Sequence, residues 1–139
     1  MLRLRLIVFG MLLVMSIVSE YTAAGWGAEC GGILSGDNGT ITSPNYPQNY
    51  WNYARCLWSI SVEPGKVIRL TFHQFCLEDL NCVYDWIVIY DNSRTNPLGK
   101  KCGYSIPEPI WSNGNQMFVE FHSDLIETAQ GFQASWEAG

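Results

Sequence analysis

Four segments of this chain alternate apolar and polar residues with a period of two. Trp58, Ile60 and Val62 alternate with Ser59, Ser61 and Glu63, ahead of a Pro64-Gly65 turn. Ile68, Leu70 and Phe72 alternate with Arg69, Thr71 and His73. Met117, Val119 and Phe121 alternate with Phe118, Glu120 and His122, and Phe132, Ala134 and Trp136 with Gln133, Ser135 and Glu137. Successive side chains of an extended strand point to opposite faces, so each segment turns one face to a core and one to solvent. No stretch of useful length carries helical periodicity. Turn-rich clusters at 36–39, 43–48, 91–97 and 112–115 separate the runs. Short strands between frequent turns predict an all-β, mostly antiparallel sandwich.

One run departs from the alternation. Residues 86–90, WIVIY, are apolar throughout. Ile87 and Ile89 are expected in the core, leaving Trp86, Val88 and Tyr90 on the outside. Packing beneath a loop or a second layer is the favoured explanation, and a contact patch for a partner is the alternative.

The N-terminus reads as an export signal. Arg3 and Arg5 precede thirteen uncharged, mostly apolar residues at 6–18, and small residues follow at 22–24. That order is expected of a secretory signal peptide over residues 1–24, and the apolar run is short for a membrane span. Residues 25–29 are then a short N-terminal segment and 30–138 one domain. Beyond residue 24 the chain carries six Lys and Arg against twelve Asp and Glu, a net charge of −6. Acidity of this order argues against nucleic acid or anionic lipid and favours cationic partners or divalent ions. Five cysteines (Cys30, Cys56, Cys76, Cys82, Cys102) in an exported chain predict disulfides with one residue left over. Asn38-Gly39-Thr40 is a glycosylation sequon, read here as part of an exposed loop.

The densest chemistry lies at 75–85, FCLEDLNCVYD, where two cysteines and three carboxylates (Glu78, Asp79, Asp85) fall between two apolar runs. Asp124 ends a further strand. If the strand ends carrying Glu78, Asp85 and Asp124 meet, their charges repel unless a cation or protons sit between them. Calcium takes about six to eight oxygen ligands, preferably several carboxylates, so this set is a candidate calcium site.

An ordered set of motifs then matches a known pattern. It comprises Cys30-Gly31-Gly32, Gly39-x-Ile41-x-Ser43-Pro44-Asn45-Tyr46-Pro47, Tyr50, Cys56-x-Trp58-x-Ile60 and Phe72-x-x-Phe75-x-Leu77-Glu78. It continues with Cys82-x-Tyr84-Asp85, Cys102-Gly103, Ser123-Asp124 and Gly131-Phe132-x-Ala134-x-Trp136. The chain resembles a CUB domain, an extracellular β-sandwich module, over residues 30–136. The resemblance implies a jelly-roll-like sandwich of two mostly antiparallel sheets. It implies disulfides Cys30–Cys56 and Cys82–Cys102, each worth on the order of 3 kcal/mol in the loop-entropy view. It also implies calcium held by Glu78, Asp85, Asp124 and backbone oxygens, with Tyr50 hydrogen-bonded beside the site. In such modules the outward carboxylates accept a Lys or Arg from a protein partner, and Asp79 would add to the acidic rim.

Cys76 falls outside that frame. It is open to three fates: a bridge to a second chain giving a covalent homodimer, a capped or free thiol, or competition with Cys102 for Cys82. Catalysis is not expected. His122-Ser123-Asp124 are consecutive strand residues on alternating faces and cannot form a relay. No metalloprotease, nucleophile-elbow or phosphate-loop motif occurs. The sequence therefore predicts a secreted, non-enzymatic module that recognises an extracellular protein or glycan through calcium-ordered loops. A structural component of an extracellular or mineralised-tissue matrix and a calcium-independent glycan-binding protein of secretory fluid are the alternatives.

Overall fold

The computed structural model describes residues 30–78, 81–125 and 127–139. The proposed signal, the 25–29 segment, Asp79 and Ile126 therefore lie outside the described residues. Among the described residues nine strands follow in chain order: β1 (Gly32–Ser35), β2 (Asn38–Thr42), β3 (Arg55–Ser61), β4 (Ile68–Cys76) and β5 (Trp86–Tyr90), then β6 (Pro97–Lys101), β7 (Ile110–Trp111), β8 (Gln116–His122) and β9 (Gly131–Ala138). They form a five-stranded sheet ordered β1-β3-β8-β5-β6 and a four-stranded sheet ordered β2-β9-β4-β7. Every pairing is antiparallel except β1 with β3. The fold is thus an all-β sandwich of two mostly antiparallel sheets.

All four alternating segments face as expected. Trp58, Ile60 and Val62, Ile68, Leu70 and Phe72, Met117, Val119 and Phe121, and Phe132, Ala134 and Trp136 are all buried in one core cluster. Burying each large side chain contributes about 1.5–3 kcal/mol. Within β4 the period changes phase. The register slips between Phe72 and Gln74, leaving His73 and Gln74 both exposed while Phe75 and Leu77 return to the core. This bulge lets the strand keep feeding the core while delivering Glu78 to the end of the sandwich.

Two glycines allow close packing. Gly39 faces inward beneath Trp136, where a Cβ would lie 2.7 Å from the indole. Gly131 has φ +96°, and a Cβ there would meet the Ser43 Oγ at 1.8 Å; that hydroxyl accepts from the Phe132 N–H at 3.0 Å. The Gly39 packing explains a correction. Asn38 does not sit in a loop: it opens the edge strand β2, which is drawn onto β9 by the Gly39–Trp136 contact.

The 86–90 run also resolves. Ile87 and Ile89 are in the core, and Val88 is buried on the outer face between its register neighbours Glu120 and Lys100. Trp86 is half-buried between Lys100, 4.9 Å above its ring, and His122, stacked at 4.6 Å.

Candidate metal centre

Three strand ends meet at one pole of the sandwich. Leu77 bridges to Gly103 just past β4, so Glu78 follows at once. Asp85 immediately precedes β5, and Asp124 lies two residues past β8. Because β5 and β8 are antiparallel neighbours with Trp86 opposite His122, the start of one and the end of the other coincide. The structure brings a carboxylate oxygen of each of Glu78, Asp85 and Asp124 to within 4.8 Å of the other two.

Asp85 is the buried member. Its Oδ2 accepts a 2.6 Å hydrogen bond from the Tyr50 hydroxyl, and its Oδ1 accepts from the Asp124 N–H at 2.9 Å. The Tyr50 hydroxyl in turn accepts from the Glu78 N–H at 3.0 Å. One phenol thus ties the loop after β4 to the start of β5. Tyr50 is itself buried, edge-on to Phe121 at 5.0 Å, with its N–H donating to the Ala129 carbonyl. Burial raises its pKa, and donation to Asp85 raises it further, so the phenol stays protonated. Burial likewise raises the pKa of Asp85, with the nearby Asp124 charge adding to it, while the bonds from Tyr50 and the Asp124 N–H work in the other direction.

Ser123 is a positioning residue that sequence reasoning left without a role. Its hydroxyl donates to the Trp51 carbonyl at 2.6 Å and accepts from the Ala54 N–H at 2.8 Å. The Tyr53 N–H donates to the Asp124 carbonyl at 3.0 Å. These bonds clamp residues 51–54 onto 123–124 and set the direction of Asp124. A serine directly before the acid, at the end of an alternating strand, was the available signal.

The donor set is all oxygen, which suits a hard divalent cation rather than zinc. Oxygens sharing one calcium at about 2.3–2.6 Å lie no more than roughly 5 Å apart, and the three carboxylates meet that condition. Three carboxylates against a divalent ion leave one negative charge. Around them stands an apolar rim. Of nine exposed large hydrophobic residues among those described, Trp51, Tyr53, Val83, Tyr84 and Leu125 all lie within the loops that carry or clamp these acids.

The cysteines form Cys30–Cys56 and Cys82–Cys102. The second ties the loop between Glu78 and Asp85 to the residue after β6. Cys76 takes part in neither bridge and lies half-buried at the end of β4.

A β-sandwich with disulfide-tied loops around an acidic pole defines a class of small, loop-presenting domain. The family model described as CUB domain matches residues 30–136, and the chain belongs to that family. It is 44% identical over 115 residues to procollagen C-endopeptidase enhancer 1 of Homo sapiens, covering 78% of this chain and 25% of that protein. It is 40% identical over 111 residues to cubilin of Rattus norvegicus, covering 78% of this chain and 3% of that protein. The chain thus spans only a small part of these relatives. Among solved structures, the MASP-1 CUB2 domain bound to Ca2+ superimposes with TM-score 0.71 at 33% identity, covering 78% of this chain and 98% of that one.

Proposed function

We propose that this domain is a secreted, non-enzymatic extracellular binding module whose recognition loops are ordered by calcium. Glu78, Asp85 and Asp124 would hold the ion, and Tyr50 would brace Asp85 from beneath. The observation that carries the reading is the convergence of these three carboxylates from three separate strand ends. A solved relative of similar fold, the MASP-1 CUB2 domain, is bound to Ca2+, which supports it. Bound calcium supplies a fixed positive charge that draws the loops together.

The partner is an extracellular protein, with a glycan as the other option. The residual negative charge suits one Lys or Arg side chain, and the rim of Tyr53, Val83, Tyr84 and Leu125 suits its aliphatic stem and apolar neighbours. Titration calorimetry with calcium tests the ion site: binding is expected in the native protein and absent in Asp124→Ala. Unchanged binding in that variant sinks the site.

A second reading, a component of an extracellular matrix, draws on Cys76. Alternation with the buried Phe75 and Leu77 puts it on the outer face of the four-stranded sheet, opposite Gly131 of β9, where it is half-buried. There a disulfide to the same residue of a second copy would give a covalent homodimer.

A further inference from the structure

The four-stranded sheet has an outer face that the acidic pole does not use. One row crosses all four strands in register: Asn38 on β2 opposite Glu137 on β9, Glu137 opposite Arg69 on β4, and Arg69 opposite Trp111 on β7. Arg69 pairs with Glu137, and its guanidinium also lies 5.5 Å from the centre of the Trp111 ring, so these three side chains share the outer side. Asn38 shares it too, because its neighbours in alternation, Gly39 and Ile41, face inward. Trp111 remains 55% exposed despite the arginine. The next row is Thr40, Ser135 and Thr71, with His73 Nε2 2.7 Å from the Ser135 hydroxyl.

We propose that this row is a carbohydrate platform, and that its occupant is the core of an N-linked glycan attached to Asn38. The proposal rests on the Asn38-Gly39-Thr40 sequon being used and is independent of the calcium reading. Sugar rings present a flat C–H face and an edge of hydroxyls. Trp111 offers the flat apolar surface, Arg69 only donors and Glu137 only acceptors, so the row can satisfy a hydroxyl of either sense. Protein partners anchor on apolar and aromatic clusters, whereas the row beside this one, Thr40, Ser135 and Thr71 with His73, is polar. Distance favours the self-attached source. Three strand spacings separate Asn38 from Trp111, roughly 14 Å, within reach of a glycan core laid across the row. Tethering also makes a weak contact effectively intramolecular. Attachment at β2 has a second effect, since β2 is an edge strand and a bulky sugar there blocks pairing with another chain.

The test is hydroxyl-radical footprinting read by mass spectrometry on the full chain secreted from glycosylating cells. Trp111 is expected to oxidise several-fold more slowly in the glycosylated protein than after endoglycosidase trimming or in Asn38→Gln. Thr40→Ala, which removes the sequon while keeping Asn38, should match Asn38→Gln, and Trp51 at the opposite pole should not change. Equal oxidation of Trp111 in all forms overturns the proposal, as does an Asn38 that carries no sugar. Protection seen only when N,N′-diacetylchitobiose is added to the unglycosylated protein overturns Asn38 as the source and assigns the platform to a foreign glycan.

Discussion

Tyr50 is the residue on which the acidic pole turns. Its hydroxyl serves the buried Asp85 carboxylate and the Glu78 N–H together, so neither is left unpaired. Tyr50→Phe keeps the ring packing and removes both bonds. It is expected to cost about 1–3 kcal/mol in chemical denaturation, because the buried Asp85 carboxylate and the half-buried Glu78 N–H each lose a hydrogen bond. Calcium affinity should weaken with it. Asp85 makes the metal-free protein sensitive to pH. Its folded pKa is raised above the ordinary 3.8, so between the two values the folded chain holds a proton that the unfolded chain has released. Its contribution to stability in chelator therefore falls as pH rises from about 4 through the raised pKa, and is flat above it. Thermal melts of the native protein and Asp85→Asn across that range isolate the contribution, and the variant should show a shallower dependence. On the proposed calcium reading the ion would expel the same proton, so affinity measured by calorimetry should rise with pH over the same window.

At the level of elements, alternation was legible because burial in a sandwich acts on every second side chain. Trp58, Ile60 and Val62 declared their face without reference to any partner. The bulge at His73 was not legible. It depends on how β9 lies against β4, and no local residue announces the slip. The strands β1, β6 and β7 were hidden for a related reason: they are short, lie toward the sheet edges and carry little inward apolar pattern. Asn38 was read as a loop residue because glycine and asparagine favour turns. The close fit of Trp136 over Gly39 overrode that preference. Gly39→Ala would push a methyl into the indole, and a loss of about 1–3 kcal/mol is expected in denaturation.

For the whole molecule, the two disulfides and the acidic pole act together. Cys82–Cys102 joins residues twenty apart in sequence and anchors the loop between Glu78 and Asp85. Replacing both cysteines by serine is expected to cost about 2–5 kcal/mol and to weaken calcium binding as the loop gains freedom. Cys76 gives a prediction at the scale of assembly. Non-reducing electrophoresis of the native protein should show a dimer that is lost on reduction and absent in Cys76→Ser. A native protein that migrates only as a monomer would count against covalent pairing.

The alternation of apolar residues, the number of cysteines and the identity of the acids are properties of short stretches, and they already implied a disulfide-bearing β-sandwich with a candidate cation site. The CUB resemblance extended that to which acids belong together. Which strand ends share a pole is a different kind of fact. Glu78, Asp85 and Asp124 converge because β5 and β8 are antiparallel neighbours and the β4 bulge carries Glu78 to the same end. Ser123 acquired a role only when residues 51–54 folded over it. Asn38, Glu137, Arg69 and Trp111 stand up to 99 residues apart along the chain, yet share one row across the four-stranded sheet. Strand order and register place them there, and both are settled by long-range burial of the opposite face, which no local stretch encodes.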